Sequence, residues 1–145
     1  MKKILLWIWQ LPQHLLALIL WAVLHISKKI LKVELVDGKQ FITIDVPGFG
    51  ISLGYYVFLD QFYEEIDWYH ECGHGVQSRR SGPLYLLVIG ITSAVFNNLW
   101  DRLFHKKWTI RKRLRWYYNR FPEKQADRLG GIVWKNNVRI YRGNV

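Results

Sequence analysis

The N-terminal segment is almost uniformly hydrophobic, with apolar residues at 18 of the 23 positions from residue 4 to residue 26. The run Leu15–Leu24 has no polar face, which excludes an amphipathic surface helix. The polar, proline-containing stretch Gln10–His14 interrupts the segment. Three interpretations stay open: a transmembrane or re-entrant anchor, a buried helix that packs on the rest of the chain, and a signal peptide without the usual small-residue cleavage site. We assign residues 1–32 to a hydrophobic N-terminal helix or membrane anchor and residues 33–145 to a second domain.

Alternation of polar and apolar residues predicts a short antiparallel sheet after this segment. Val33–Val36 and Gln40–Val46 flank the sequence Asp-Gly-Lys, which is typical of a β-hairpin. Ile51–Leu59 is rich in β-branched and aromatic residues and is predicted to be a third strand. A final strand is predicted over Ile132–Tyr141.

Helical patterns occupy most of the remaining chain. A helix is predicted from residue 61 or 63 to Ser78, with Asp60 as a possible N-cap. Leu84–Leu99 is a second apolar stretch, shorter than a comfortable membrane span, and is predicted to be a buried or re-entrant helix. A basic helix over Asp101–Tyr118 and a short helix over Glu123–Leu129 follow. Strands and helices together predict an α+β fold.

Charge is distributed unevenly along the chain. The formal net charge of +10 divides into +5 for residues 1–32, −7 for residues 33–78 and +12 for residues 79–145. Basic flanks of this kind bind anionic lipid headgroups or nucleic acid. The segment Lys106–Trp116 mixes cations with aromatic residues, and anionic membrane contact is the first interpretation, followed by a solvated helix face. Nucleic-acid binding is the least favoured interpretation, because no recognised binding motif accompanies the charge.

Other features of composition agree with a membrane-associated protein. Eight Trp residues suit a chain that rests partly at a membrane interface. The basic loops predict that the main body lies in the cytoplasm, on the positive-inside tendency. The single cysteine, Cys72, excludes an internal disulfide and is predicted to be a packing residue.

The acidic middle of the chain contains the sequence His-Glu-Cys-Gly-His at residues 70–74, which is an H-E-x-x-H motif within a predicted helix. His70 and His74 are four residues apart, so both imidazoles lie on one helix face and can bind one metal ion. Glu71 lies beside them, where it can deprotonate a metal-bound water. Gly73 either lets another element approach the helix closely or merely weakens the helix.

A catalytic zinc needs a third protein ligand. His105 lies in a Lys-rich segment that would repel a cation, whereas Glu123 and Asp127 share one face of a predicted helix. We predict that Glu123 binds the metal and that Asp127 accepts a hydrogen bond from a ligand histidine. The alternative is a solvated helix face on which these acids pair with Lys124 or Arg128. If Leu84–Leu99 crossed a bilayer once, the two halves of this site would lie on opposite sides.

The same segments resemble a known group of enzymes. The H-E-x-G-H sequence followed by Glu-x-x-Ala-Asp-Arg at residues 123–128 resembles the gluzincin metallopeptidases, in particular the CaaX prenyl endopeptidase and HtpX-type heat-shock families. The longer pattern over residues 50–131 is also similar to small bacterial proteins. The resemblance implies a small zincin-like domain that binds Zn²⁺ through His70, His74 and Glu123, with Glu71 as base and Asp127 behind the ligands. The chain lacks the several membrane spans of the large families, so their substrate preferences are not transferred.

We therefore predict a membrane-associated zinc metalloprotease that hydrolyses a peptide or protein substrate, with a metallopeptidase-like domain over residues 33–145. The donor to the oxyanion is left open among residues near the third ligand, namely Tyr117, Tyr118, Asn119, Arg120 and His105. If Ile51–Leu59 is an exposed edge strand, it can pair with an extended substrate. The alternatives are a non-catalytic metal-binding structural or regulatory protein and a basic membrane- or nucleic-acid-binding module.

Overall fold

The computed structural model describes residues 2–143 and divides the hydrophobic N-terminal segment into two helices. Helix α1 spans Lys2–Trp9 and helix α2 spans Leu11–Ile26. The break lies at Gln10, and Pro12 lies in the first turn of α2, where the helix needs no backbone N–H donor. Within residues 2–143, no single helix is both long and apolar enough to cross a membrane.

The central sheet has four strands, β1 (Ile30–Val36), β2 (Lys39–Ile44), β3 (Gly50–Leu53) and β4 (Tyr56–Asp60), in the order β1-β2-β4-β3. The predicted β1–β2 hairpin is confirmed. The prediction of a purely antiparallel sheet is wrong, because β2 pairs with β4 in parallel and the sheet is mixed. The β3–β4 hairpin inserts β4, its second strand, beside β2, which leaves β3 at the edge.

Two predicted long strands are hairpins instead. The segment predicted as one strand over Ile51–Leu59 turns at Gly54, whose φ of 65° lies in the left-handed region that glycine adopts without strain. The final predicted strand divides into β5 (Ile132–Lys135) and β6 (Val138–Tyr141). Two asparagines with φ of 50° and 65° join β5 to β6, and positive φ at both central residues is the mark of a type I′ hairpin turn.

Helix α3 carries the H-E-x-x-H motif and spans Glu65–Ser81. Its N-cap is Glu64, which exchanges capping hydrogen bonds with Asp67, so the predicted N-cap at Asp60 is wrong. Asp60 instead ends β4, and its carboxylate accepts backbone N–H groups from the flanking loops.

The second apolar stretch is an irregular helix that leaves α3 at a sharp angle. A 3₁₀ turn at Gly82–Leu84 leads into π-helical segments at Leu86–Gly90 and Thr92–Leu99, followed by α4 (Trp100–Phe104). By length and composition alone, one pair of helical segments is together long and apolar enough for a broken membrane span or a re-entrant loop. The pair is Glu65–Leu84 and Leu86–Phe104, and the bend between them is 118°.

The predicted basic helix over Asp101–Tyr118 is interrupted between residues 104 and 110. The chain resumes as α5 (Ile110–Tyr118), which Thr109 caps by accepting a hydrogen bond from the backbone N–H of Lys112. The predicted short helix is confirmed as α6 (Glu123–Leu129).

The α+β class is confirmed, and the core lies on both faces of the central sheet. One cluster joins α2 to the sheet through Ala17, Leu24, Ile42, Ile44, Leu53 and Phe58. The other joins α3 to the opposite face through Phe41, Val57, Leu59 and Trp68, with Cys72 packed at its margin. Neighbouring residues of β2 and β4 enter different clusters, as the two-residue period of a strand requires. The sheet thereby fixes α3 on the face opposite α2.

Candidate metal centre

Two glycines bring α3 and α6 close together. A Cβ atom at Gly73 would overlap the carbonyl oxygen of Ala126, and one at Gly130 would overlap the carbonyl oxygen of Tyr69. Of the two interpretations of Gly73, close approach of another element is therefore the one that the structure supports. Because the two backbones touch, short carboxylate side chains on α6 reach the imidazoles on α3.

Three side chains from these helices converge on one point. The Nε2 atoms of His70 and His74 each lie 3.1 Å from Oε2 of Glu123. All three residues are buried, and their ligand atoms lie within 4.8 Å of one another. Ligand atoms on a tetrahedral zinc lie about 3.3 Å apart, given zinc–ligand bonds of about 2.0–2.1 Å. The group can hold a metal ion with little rearrangement.

The outer nitrogens of both histidines are held by acceptors. His70 donates from Nδ1 to Oδ1 of Asp127 at 2.7 Å, and His74 donates from Nδ1 to Oε1 of Gln77 at 2.7 Å. The amide of Gln77 is oriented by donating from Nε2 to the carbonyl oxygen of Pro122 and to Oε1 of Gln125. Gln77 was not among the predicted site residues, although its position three residues after His74 places it on the same helix face.

These outer hydrogen bonds determine what the inner atoms can bind. Because Nδ1 carries the proton in each neutral imidazole, both Nε2 atoms present lone pairs toward Glu123, which is also an acceptor. Three acceptors then meet with no proton between them, an arrangement that a cation satisfies. The second carboxylate oxygen of Glu123, Oε1, is buried and has no hydrogen-bond partner among the described residues. The donor set of two imidazoles and one carboxylate suits zinc.

Without a metal, protons take the place of the cation. Burial lowers the pKa of His70, but its hydrogen bonds to Asp127 and Glu123 outweigh burial and raise the pKa to about 9. Burial also opposes ionisation of Glu123, but hydrogen bonds from the two histidines hold the pKa of its carboxyl below the ordinary value. The metal-free site therefore retains an imidazolium beside a carboxylate at neutral pH.

Glu71 is buried beside the three converging side chains but does not belong to that group. Its Oε2 atom has no hydrogen-bond partner within the described chain, and its Oε1 atom lies close to Gly50 on the edge strand. Burial raises the pKa of the Glu71 carboxyl, and the nearby histidines offset this only in part. A carboxylate with a raised pKa and a free oxygen is suited to accept a proton.

The carboxylate of Asp127 is held by hydrogen bonds from a residue that was not predicted from the sequence. Arg139, on β6, donates from Nη2 to Oδ1 of Asp127 at 2.7 Å and from Nε to Oδ2 at 3.2 Å. Its guanidinium lies 3.6 Å from the ring centroid of Tyr118, and its Nη1 atom lies 3.6 Å from Asp67. Both acids of α6 are buried, whereas Lys124 and Arg128 are exposed, which contradicts the alternative of a solvated acidic face.

An open cleft of about 490 Å³ leads to this group. The edge strand β3 forms one wall, and residues from the irregular helix, α4 and α5 form the other. Tyr85, which the sequence analysis also missed, lines the cleft and donates its hydroxyl proton to the carbonyl oxygen of Ser52 at 3.0 Å.

The proposed oxyanion donors separate into two groups. Tyr117 and Tyr118 line the cleft. Burial raises the pKa of both phenols, so they stay protonated at neutral pH. The side chains of Asn119 and Arg120 contact α5. Asn119 donates from Nδ2 to the carbonyl oxygen of Arg115, and the guanidinium of Arg120 lies over the ring of Trp116. His105 bonds to Asp101 through Nδ1 at 3.1 Å and stacks on Trp108, and it does not belong to the group of three converging side chains.

No protein-family model, curated protein or solved structure matches the chain. The resemblance to gluzincins therefore stays a prediction. The geometry itself shows a buried group of His70, His74 and Glu123 that can hold a metal ion.

Proposed function

We propose that this chain is a zinc-dependent hydrolase of peptide bonds. The observation that carries the proposal is the convergence of His70, His74 and Glu123 at the base of an open cleft, with Glu71 beside them. Three protein ligands leave one coordination position of a tetrahedral metal open, which is the pattern of catalytic rather than structural zinc sites.

A zinc ion held by these side chains would polarise a water molecule and the scissile carbonyl. Glu71 would accept a proton from the attacking water and then deliver it to the leaving amine, which its raised pKa favours. Asp127 and Gln77 fix the orientation and tautomer of the two histidines. Tyr117 is the candidate donor to the developing oxyanion, because it lines the cleft and, among the described residues, its hydroxyl makes a single long contact, 3.5 Å, with Ser93.

The edge strand supports a peptide substrate in extended conformation. Strand β3 pairs with β4 on one side only, and its other side lines the cleft. The carbonyl of Ser52 points to that open side, since it accepts a hydrogen bond from Tyr85. Backbone polar groups alternate in direction along a strand, so the N–H and C=O groups of Gly50, two residues earlier, point to the same side. Gly50 lies next to Glu71, so a peptide that pairs with β3 there would pass the proposed base.

Metal analysis tests the ligand set. The purified wild-type chain is expected to hold one equivalent of zinc, whereas His74→Ala and Glu123→Ala are expected to lose it. The matched control is Glu65→Gln, since Glu65 is an exposed acid on the same helix. Stoichiometric zinc in both alanine variants would overturn the assignment.

Peptide hydrolysis tests the role of Glu71. Glu71→Gln is expected to retain zinc and to lose turnover of a fluorogenic peptide library, because the amide cannot accept the proton. Activity equal to that of wild type would remove Glu71 as the base. Zinc binding by the wild type without any hydrolysis would support the non-catalytic alternative instead.

A further inference from the structure

Helix α2 has an inverted distribution of polar and apolar residues. Gln13 and His14 are buried, at 0% and 1% exposure, whereas Ile19 and Ile26 are 62% and 80% exposed. The ring of His14 donates from Nδ1 to the carbonyl oxygen of Trp7 and accepts the backbone N–H of Tyr55, so its polar atoms are satisfied inside the protein. A helix that faced water would show the opposite arrangement.

The irregular helix over residues 86–104 is inverted in the same way. Asn97 and Asp101 are buried, at 1% and 8% exposure, and both bond inward, to the carbonyl oxygen of Phe121 and to Arg113 respectively. Together with Leu84 from the preceding 3₁₀ turn, its outward face is apolar and consists of Leu87, Val88, Ile91, Val95, Phe96, Leu99, Trp100, Leu103 and Phe104, each of these residues at least 44% exposed. Contiguous exposure on this scale marks an interaction surface.

The two inverted elements adjoin each other. Trp9 donates to the carbonyl oxygen of Arg79, Gln10 donates to Ser78, and Gln13 donates to the carbonyl oxygen of Gly82. The N-terminal helices therefore rest on the end of α3, at the point where the chain turns into the irregular helix. We call the outward apolar faces of α2 and of residues 84–104, taken together, the apolar surface.

Basic residues follow both parts of the apolar surface. Lys28 is exposed two residues after the end of α2, and Lys106 and Lys107 are exposed two and three residues after the end of α4. Exposed cations continue along α5 at Arg111, Lys112 and Arg115. An apolar face bordered by cations is complementary to anionic lipid headgroups above acyl chains.

We propose that the apolar surface docks on an anionic phospholipid bilayer. Nucleic acid would satisfy the cations but not the apolar face. A second copy of the chain would cover the apolar face but would bring the basic borders of two highly positive molecules together. A bilayer with anionic lipids satisfies both features. This proposal does not depend on a metal ion, and the zinc-free protein is expected to bind equally well.

Vesicle flotation with the full chain tests the charge component. We expect binding to vesicles that contain phosphatidylglycerol, and much weaker binding to vesicles of phosphatidylcholine alone. Each basic residue near an anionic surface contributes about fivefold in affinity, so loss of the two positive charges in Lys106→Glu with Lys107→Glu is expected to reduce binding by about 25-fold at low salt, and repulsion of the new carboxylates reduces it further. Lys135→Glu is the matched control, since Lys135 is exposed on the β5–β6 hairpin, which does not belong to the apolar surface. Equal binding of all these proteins to both vesicle types would overturn the proposal.

Vesicles with brominated acyl chains test the apolar component without altering the fold. Bromine quenches tryptophan that enters the acyl region, and Trp100 is 47% exposed on the apolar surface. We expect quenching that falls in Trp100→Phe and is unchanged in Trp134→Phe. Absence of quenching in the wild type, or a stable dimer in light scattering with no vesicle binding, would assign the surface to another partner and overturn the proposal.

Discussion

Replacing Arg139 by glutamine is expected to weaken zinc binding, although Arg139 bonds to Asp127 and not to a ligand residue. Its two hydrogen bonds occupy both oxygens of the Asp127 carboxylate, at 2.7 and 3.2 Å. The same carboxylate accepts the proton of His70 Nδ1. Without the guanidinium, the carboxylate gains freedom to rotate, and the imidazole of His70 loses its fixed direction toward the metal position.

The expected magnitude follows from the position of Arg139 in this chain of contacts. Removing a direct hydrogen-bond partner of a metal ligand typically costs about 10–100-fold in metal affinity. Arg139 is one bond further away and Asp127 can still accept from His70, so we expect about tenfold, or about 1.4 kcal/mol. The side chains of Arg139 and Asp127 are 11% and 3% exposed. Breaking such a buried pair also lowers the free energy of unfolding, by about 3–5 kcal/mol.

The assay must separate metal affinity from stability. Zinc affinity is measured by competition with a chromophoric chelator for the wild type, Arg139→Gln, Asp127→Asn and the double variant. Circular dichroism is used to check that each protein is folded at the assay temperature. If Arg139 acts through Asp127, its effect on zinc affinity disappears in the Asp127→Asn background. Arg142→Gln is the matched control, because Arg142 is exposed just beyond the same hairpin.

Two outcomes would refute this reasoning. A lower free energy of unfolding with zinc affinity within about twofold of wild type would make Arg139 a purely structural residue. Additive losses of affinity in the double variant would show that Arg139 acts by a route other than Asp127, such as its contact with Tyr118.

Three further outcomes are expected. Gly73→Ala should push α6 away from α3, because the new methyl group meets the carbonyl of Ala126. We expect a lower zinc affinity in chelator competition and a free energy of unfolding that is lower by about 1–3 kcal/mol in calorimetry. Gly90→Ala, whose new methyl group makes only ordinary contacts, should change neither quantity. Gln77→Leu should remove the acceptor of a ligand histidine and weaken zinc binding by about tenfold or more, and unchanged affinity would dismiss its orienting role. In zinc-free protein the ring of His70 should titrate at about 9 by NMR. Because this folded-state pKa lies above the unfolded value of 6.5, its contribution of about 3 kcal/mol to stability is present below pH 6.5 and lost as the pH rises to about 9. A free energy of unfolding in urea that does not change between these pH values would contradict this.

The three residues of the candidate metal site were easier to predict from the sequence than the residues that orient them. The helical period alone places His70 and His74 on one face, and the only acids at helical spacing in the basic C-terminal half are Glu123 and Asp127. Arg139 gave no such signal, because a hairpin brings it back across the site and its partner is set by tertiary structure. One arginine among many basic residues has no local pattern that distinguishes it.

The two strand predictions that proved to be hairpins have a common physical cause. Segments were predicted as single strands where a turn of two residues reverses the chain, at Gly54 and at the Asn-Asn pair of residues 136–137. Gly54 stands alone among strand-forming residues, and its turn forms because β4 pairs in parallel with the distant β2. The asparagine pair did carry a local signal, since asparagine tolerates positive φ.

The irregular helix explains how the two halves of the site, which are separated by the apolar stretch Leu84–Leu99, come to lie on the same side of the protein. Between the two histidines and Glu123, the chain must leave α3 and return to the same place. It does so by turning through 118° after α3 and folding back through α5 to α6. The inward side of residues 86–104 contributes Ser93, Asn98 and Asp101 to the cleft, while the outward side belongs to the apolar surface. One helix therefore separates a polar cleft from an apolar exterior, and its inverted polarity follows from having to satisfy both.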